Sequence, residues 1–107
     1  MLQHNHLILK GTIKKAPTAD DLVETSLWIE DFIMGNGMQL ASKPVVSYVE
    51  DEGNKGVTAC CLLKTSHMAF HIWDEQDPAL MQFDFDDYKF IVLNRAKNID
   101  EVVKLHA

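Results

Sequence analysis

Apolar residues recur along this chain with two different spacings, and the alternation between them predicts most of its elements. His6 to Ile13, rich in Leu and Ile, reads as a first strand that stops before the Lys14 to Pro17 turn. Pro17-Thr18-Ala19-Asp20-Asp21 then offers helix-start chemistry: a side-chain oxygen to cap the first amides, and carboxylates beside the positive end of the helix dipole. Beyond it Leu22, Ile29 and Ile33 recur at helical spacing, joined by Val23 and Phe32, while Glu24, Glu30 and Asp31 occupy much of the rest. Gly35-Asn36-Gly37 accepts the positive backbone angles that end such a helix.

From there the period falls to two. Pro44 to Glu50 predicts a second strand, and the polar turn Asp51 to Gly56 joins it to Val57 to Lys64. His67 to Trp73 alternates clearly, with Met68, Phe70 and Ile72 on one face and His67, Ala69, His71 and Trp73 on the other. Past Asp74 to Pro78, Ala79, Met81, Phe83 and Phe85 alternate with Leu80, Gln82, Asp84 and Asp86. Tyr88 to Leu93 predicts another strand, and Ile99 to Leu105 a short helix capped by Asn98. Strands outnumber helices and most connections suit antiparallel neighbours. The expected class is therefore α+β: a two-layer α/β sandwich whose mainly antiparallel sheet is covered on one face by helices. The uncovered face predicts oligomerisation by sheet packing.

The length of 107 residues suits a single domain, 1–107, with a core that has little to spare. A net charge of −6 opposes a nucleic-acid surface, and Lys10, Lys14 and Lys15, the one basic cluster, read as a solvated loop. Absence of a leader pattern and of a long apolar run predicts a cytoplasmic protein with no membrane partner. Adjacent Cys60 and Cys61 point to opposite faces of a strand and read as reduced structural thiols. His67 and His71 share a face but lie about 13 Å apart by strand rise, too far to ligate one ion, so no metal site is expected. His4 and His6 read as solvated terminal side chains, and Trp28 as a packing residue.

The stretch GVTACCLLKTSHMAFHIWDE, residues 56–75, raises more specific chemistry. It resembles the bacterial and archaeal type of S-adenosylmethionine decarboxylase, whose proenzymes carry a segment of the form GVSGVVxIxESHxxxHTWPE. Gly56-Val57, Ser66-His67, His71, Trp73 and Glu75 stand at matching places. The resemblance implies self-cleavage before Ser66, whose hydroxyl attacks the preceding carbonyl and which then becomes a pyruvoyl group. That cofactor acts as an electron sink while carbon dioxide departs. It implies, further, that His71 assists processing as acid or base, a task suited to imidazole. Thr58 would replace a second processing serine of the family. Glu75, with Trp73 as pocket wall and His67 beside the cleavage point, would bind a small cationic substrate such as S-adenosylmethionine, or a basic amino acid. The implied assembly is a homodimer with sites near its interface, working in polyamine biosynthesis.

Two positions depart from the family pattern. Thr65 replaces the glutamate before the cleavage point, and Asp86 stands where the family has its catalytic, proton-donating cysteine. A carboxyl group can deliver that proton only if held neutral, which a second carboxylate beside it, that of Asp84, would promote. The C-terminal part is also shorter than in the family. These departures keep open an alternative: a processing-deficient homologue that binds a small ligand or serves as a regulatory or partner subunit.

Overall fold

The computed structural model describes residues 6–86, and at His6, Leu7 and Asp86 the backbone alone. The predicted strand Tyr88 to Leu93 and helix Ile99 to Leu105 lie outside the described residues. The chain forms β1 (His6–Ile13), a single 3-10 turn (Ala19–Asp21), α1 (Leu22–Gly35), β2 (Val45–Val49), β3 (Gly56–Leu62), β4 (His67–Trp73) and β5 (Ala79–Asp86). The fold is α+β, a five-stranded antiparallel sheet in the order β1-β5-β4-β3-β2 with one helix on one face. The chain runs through α1 from one edge strand to the other, then returns strand by strand until β5 pairs with β1.

Local chemistry sets the 3-10 turn that leads into α1 and the far end of the helix. The Thr18 backbone N–H donates to Asp21 Oδ2 at 2.8 Å and the Thr18 hydroxyl accepts from the Asp20 N–H at 3.2 Å, a reciprocal capping box. The Thr18 backbone N–H first, and then the Thr18 hydroxyl, which donates to Asp21 Oδ2 at 3.1 Å, hold the Asp21 carboxyl below the usual carboxylate range. At the other end Gly37 takes φ +77°, which lets the Met38 N–H reach Ile33 O at 3.1 Å and the Gly37 N–H reach Met34 O at 3.0 Å. That pair of bonds satisfies carbonyls the helix would otherwise leave open.

The helix buries Ile29, Phe32 and Ile33, whereas Val23, expected on that side, is 69% exposed. Phe32 stands edge-on to Phe83 and Phe85, with ring centroids 5.8 and 6.5 Å apart. Alternate residues of the strands complete the core, including Val57, Met68, Phe70, Ile72 and Met81. The strand pairs bring these residues into register: Met68 faces Phe85, Phe70 faces Phe83 and Ile72 faces Met81. Each fully buried large side chain of this kind stabilises the fold by about 1.5–3 kcal/mol relative to exposure.

One glycine reports how tightly the sheet closes. Gly56 begins β3 at φ +145°, and a Cβ there would sit 1.7 Å from the Ile72 carbonyl oxygen. Only glycine lets β3 approach β4 at this point.

Candidate functional site

The same register that fills one face with apolar side chains lays the polar ones across the other. Along the open face, Lys10, Gln82, His71, Thr58 and Ser47 fall in one row that crosses all five strands. The neighbouring row holds Thr12, Leu80 and Trp73, and on its other side lie Ile8, Asp84, Ala69, Cys60 and Val45. His71 therefore stands directly opposite Thr58 on one side and Gln82 on the other. Its ring packs on Trp73 with centroids 4.4 Å apart and planes tilted by 59°. The Thr58 hydroxyl donates to the Phe70 carbonyl at 3.4 Å.

Ser66 occupies a different place. Leu63 and Ser66 exchange backbone bonds, Leu63 N–H to Ser66 O at 2.9 Å and Ser66 N–H to Leu63 O at 3.4 Å, closing a hairpin over Lys64-Thr65. Paired residues of a hairpin project from the same face. Leu63 belongs to the buried core, so Ser66 turns toward the helix side of the sheet, away from Thr58 and His71. Five residues of strand rise put Ser66 and His71 about 16 Å apart along the chain. Within one chain the structure thus brings Thr58, His71 and Trp73 together and keeps Ser66 apart from them.

Ser66 and His71 nevertheless share one property. Among the described residues, Ser66 Oγ and His71 Nε2 are the buried side-chain polar atoms without a hydrogen-bond partner. A buried polar group left unpaired costs on the order of 1–3 kcal/mol, so each of the two calls for a partner or a role.

Trp73 and Glu75 frame the end of this face. Glu75 accepts backbone N–H groups from Gly53 at 3.1 Å and Lys55 at 3.2 Å, pinning the β2–β3 turn against the β4–β5 loop. The Trp73 indole N–H donates to Asn54 Oδ1 at 3.3 Å, and the Asp74 N–H to Lys55 O at 2.9 Å. The Tyr48 hydroxyl adds a 2.7 Å bond to Asp74 Oδ2, which is the leading cause of its raised pKa. Trp73 does form a pocket wall: with Lys10, Leu80, Gln82, Gly53 and Glu75 it surrounds a groove of about 560 Å³. The groove volume falls within the range of small-molecule sites.

His67 is exposed at the start of β4, opposite Leu62 on β3. The register places the backbone of Asp86 at the end of the open face, and its side chain lies outside the described residues. The two thiols divide as expected, Cys60 exposed on the open face and Cys61 buried on the other. Burial, followed by Cys60 and Glu30, pushes the Cys61 thiol up. Trp28 stacks on Phe32 at 5.0 Å, a packing role. Among the described residues no group of three or more His, Cys, Asp or Glu is arranged to hold a metal ion.

Sequence reasoning placed Lys10 in a solvated loop, and the structure corrects this: Lys10 sits within β1 and lines the groove. Its position in the alternation, between Ile8 and Thr12 on a strand, was the signal available. Gln82 was missed as a neighbour of His71 because cross-strand register is not written in one strand's own sequence.

No helix among the described residues is long and apolar enough to cross a membrane. No protein-family model, curated protein or solved structure matches the chain.

Proposed function

We propose that this chain is a divergent relative of the pyruvoyl-dependent S-adenosylmethionine decarboxylases: a two-layer α/β sandwich, cytoplasmic and homodimeric. It cleaves itself before Ser66 and then decarboxylates S-adenosylmethionine or a basic amino acid. The observation that carries this reading is that, among the described residues, the two buried side-chain polar atoms without partners belong to Ser66 and His71, the residues the resemblance singles out for processing.

Ser66 fits the origin of a pyruvoyl group in that its hydroxyl is committed to no hydrogen bond among the described residues. In processing, Ser66 Oγ attacks the Thr65 carbonyl carbon, the Thr65–Ser66 C–N bond breaks and an ester links the two residues. Loss of the Ser66 Cα proton then expels the Thr65 carboxylate, and water replaces the remaining nitrogen as ammonia. The pyruvoyl group, once formed, supplies a sink for the electrons released with carbon dioxide.

Residues of this chain do the rest. His71, held by Trp73 and opposite Thr58, moves protons during cleavage. It stands on the opposite face of the sheet from Ser66 of its own chain. Ile8, Val45, Leu62 and Leu80, each at least 41% exposed on the open face, support packing against a second copy. Asp86 takes the place of the family's proton-donating thiol, and Asp86→Asn abolishes turnover on this reading.

A second reading is favoured by the separation of Ser66 from His71 and by the loss of the thiol: an uncleaved homologue that binds a ligand on the open face or serves as a partner subunit. Intact mass of fresh protein under denaturing conditions separates the two. Two fragments divided before Ser66, and none from Ser66→Ala, support the self-processing enzyme. One uncut chain of 12.1 kDa after prolonged incubation supports the binding protein.

A further inference from the structure

The groove beside Trp73 has two chemically different ends. At one end Lys10 rises from edge strand β1 and has no hydrogen bond or ion pair to another described residue. Gln82, its direct partner on β5, presents an amide next to it. At the other end stand the Glu75 carboxylate, which makes an acidic rim, and Gly53 of the β2–β3 turn. Both Glu75 oxygens accept one backbone N–H, yet each keeps a further lone pair and the carboxylate keeps its charge. Between the ends Trp73 and Leu80 form an apolar floor.

Strand spacing and rise put the Lys10 and Trp73 backbones about 12 Å apart, with Glu75 beyond. The ammonium and the acidic rim are thus far enough apart not to neutralise each other and close enough for one small molecule to span. The rim is fixed in place by four hydrogen bonds joining the two loops. Such a groove is preorganised for a ligand carrying an anion at one end and a cation at the other.

From this we infer that Lys10 is the specificity-determining anchor for a ligand carboxylate, and that the groove takes zwitterionic amino acids with a distal cation while rejecting their decarboxylated counterparts. This deepens the decarboxylase reading, since it rests on the same Trp73 and Glu75, but it does not involve Ser66. An ammonium that holds the carboxylate stabilises the ground state and does not by itself speed the loss of carbon dioxide. Its effect is sorting: the carboxylate-bearing ligand is held and its decarboxylated counterpart is not. An uncleaved binding protein would show the same preference.

The test is calorimetric titration of the full-length Ser66→Ala chain, which cannot process itself, with two matched pairs: S-adenosylmethionine and its decarboxylated form, and arginine and agmatine. In at least one pair the carboxylate-bearing member should bind about tenfold tighter. Lys10→Met should erase that difference by weakening the carboxylate-bearing member alone, with thermal unfolding unchanged because Lys10 is exposed. Equal affinity within both pairs, no binding by any of the four, or equal weakening of both members by Lys10→Met overturns the inference. Because no cleavage is needed, these outcomes are independent of whether the wild-type chain processes itself.

Discussion

The two faces of the sheet are written by the same strands and yet obey different rules. On the helix side β1, β3, β4 and β5 contribute side chains that are almost fully buried, as with Ile13, Val57, Met68 and Phe85, and Val46 and Tyr48 of β2 are half-buried there. On the open side the intervening residues mix Ile8, Val45 and Leu62 with Lys10, Thr58, His71 and Gln82. Nothing in strand geometry distinguishes the faces, because alternation gives each the same number of positions. The difference lies in what covers them. A covered face must be apolar and shape-matched to hold the fold, whereas the open face is free to place charge, imidazole and hydroxyl side by side.

Substitutions at matched depth along the strands measure that contrast. Phe85→Ala should cost about 3–5 kcal/mol in chemical denaturation, since the ring is fully buried against Phe83 and Phe32. Leu62→Ser, on the open face, should change the stability of the monomer by about 0.5 kcal/mol or less. A much larger loss that depends on protein concentration would show the open face covered in solution by a second copy, and light scattering would report its mass. Gly56→Ala falls between these two substitutions, at about 3 kcal/mol, because the added methyl collides with the Ile72 carbonyl and both faces lose their register together.

Smaller effects test the helix that makes the faces unequal. Thr18→Ala should cost about 1 kcal/mol by removing the cap. The Asp21 carboxyl has a folded pKa below its unfolded value, so its contribution is present above the ordinary carboxylate range near 4 and fades as pH falls through the lower folded value. In a pH series of urea midpoints Thr18→Ala should flatten that acid limb. An unchanged slope would show the hydroxyl bond to be unimportant beside the Thr18 backbone bond, which the variant keeps.

The sequence exposed the fold more fully than the site, for reasons that particular residues make clear. β1 and β4 run over the predicted residues because Leu9, Ile13, Met68, Phe70 and Ile72 alternate without a break. β3 ends at Leu62, short of the predicted Lys64, because Lys64-Thr65 forms the hairpin corner and no Gly, Pro, Asn or Asp marked it. Val23 fell on the wrong side because one added apolar residue shifts the reading of a helical stripe by a full face. For the site, the spacing of Ser66, His71 and Trp73 was visible, but spacing along one strand does not say which neighbours lie across it. Opposition of His71 to Thr58 and Gln82, and of Lys10 to Gln82, follows from pairing between segments far apart in sequence.

The strand order carries a practical corollary for any nick at the hairpin between β3 and β4. Cutting between Thr65 and Ser66 would leave β4 and β5 on one piece and every other element on the other. Yet β5 is zipped to β1 on one flank and β4 to β3 on the other, so the smaller piece sits in the middle of the larger one's sheet. The two halves would travel together through gel filtration, native electrophoresis and crystallisation. A severed molecule of this topology would look whole to every method that leaves its hydrogen-bond ladders intact.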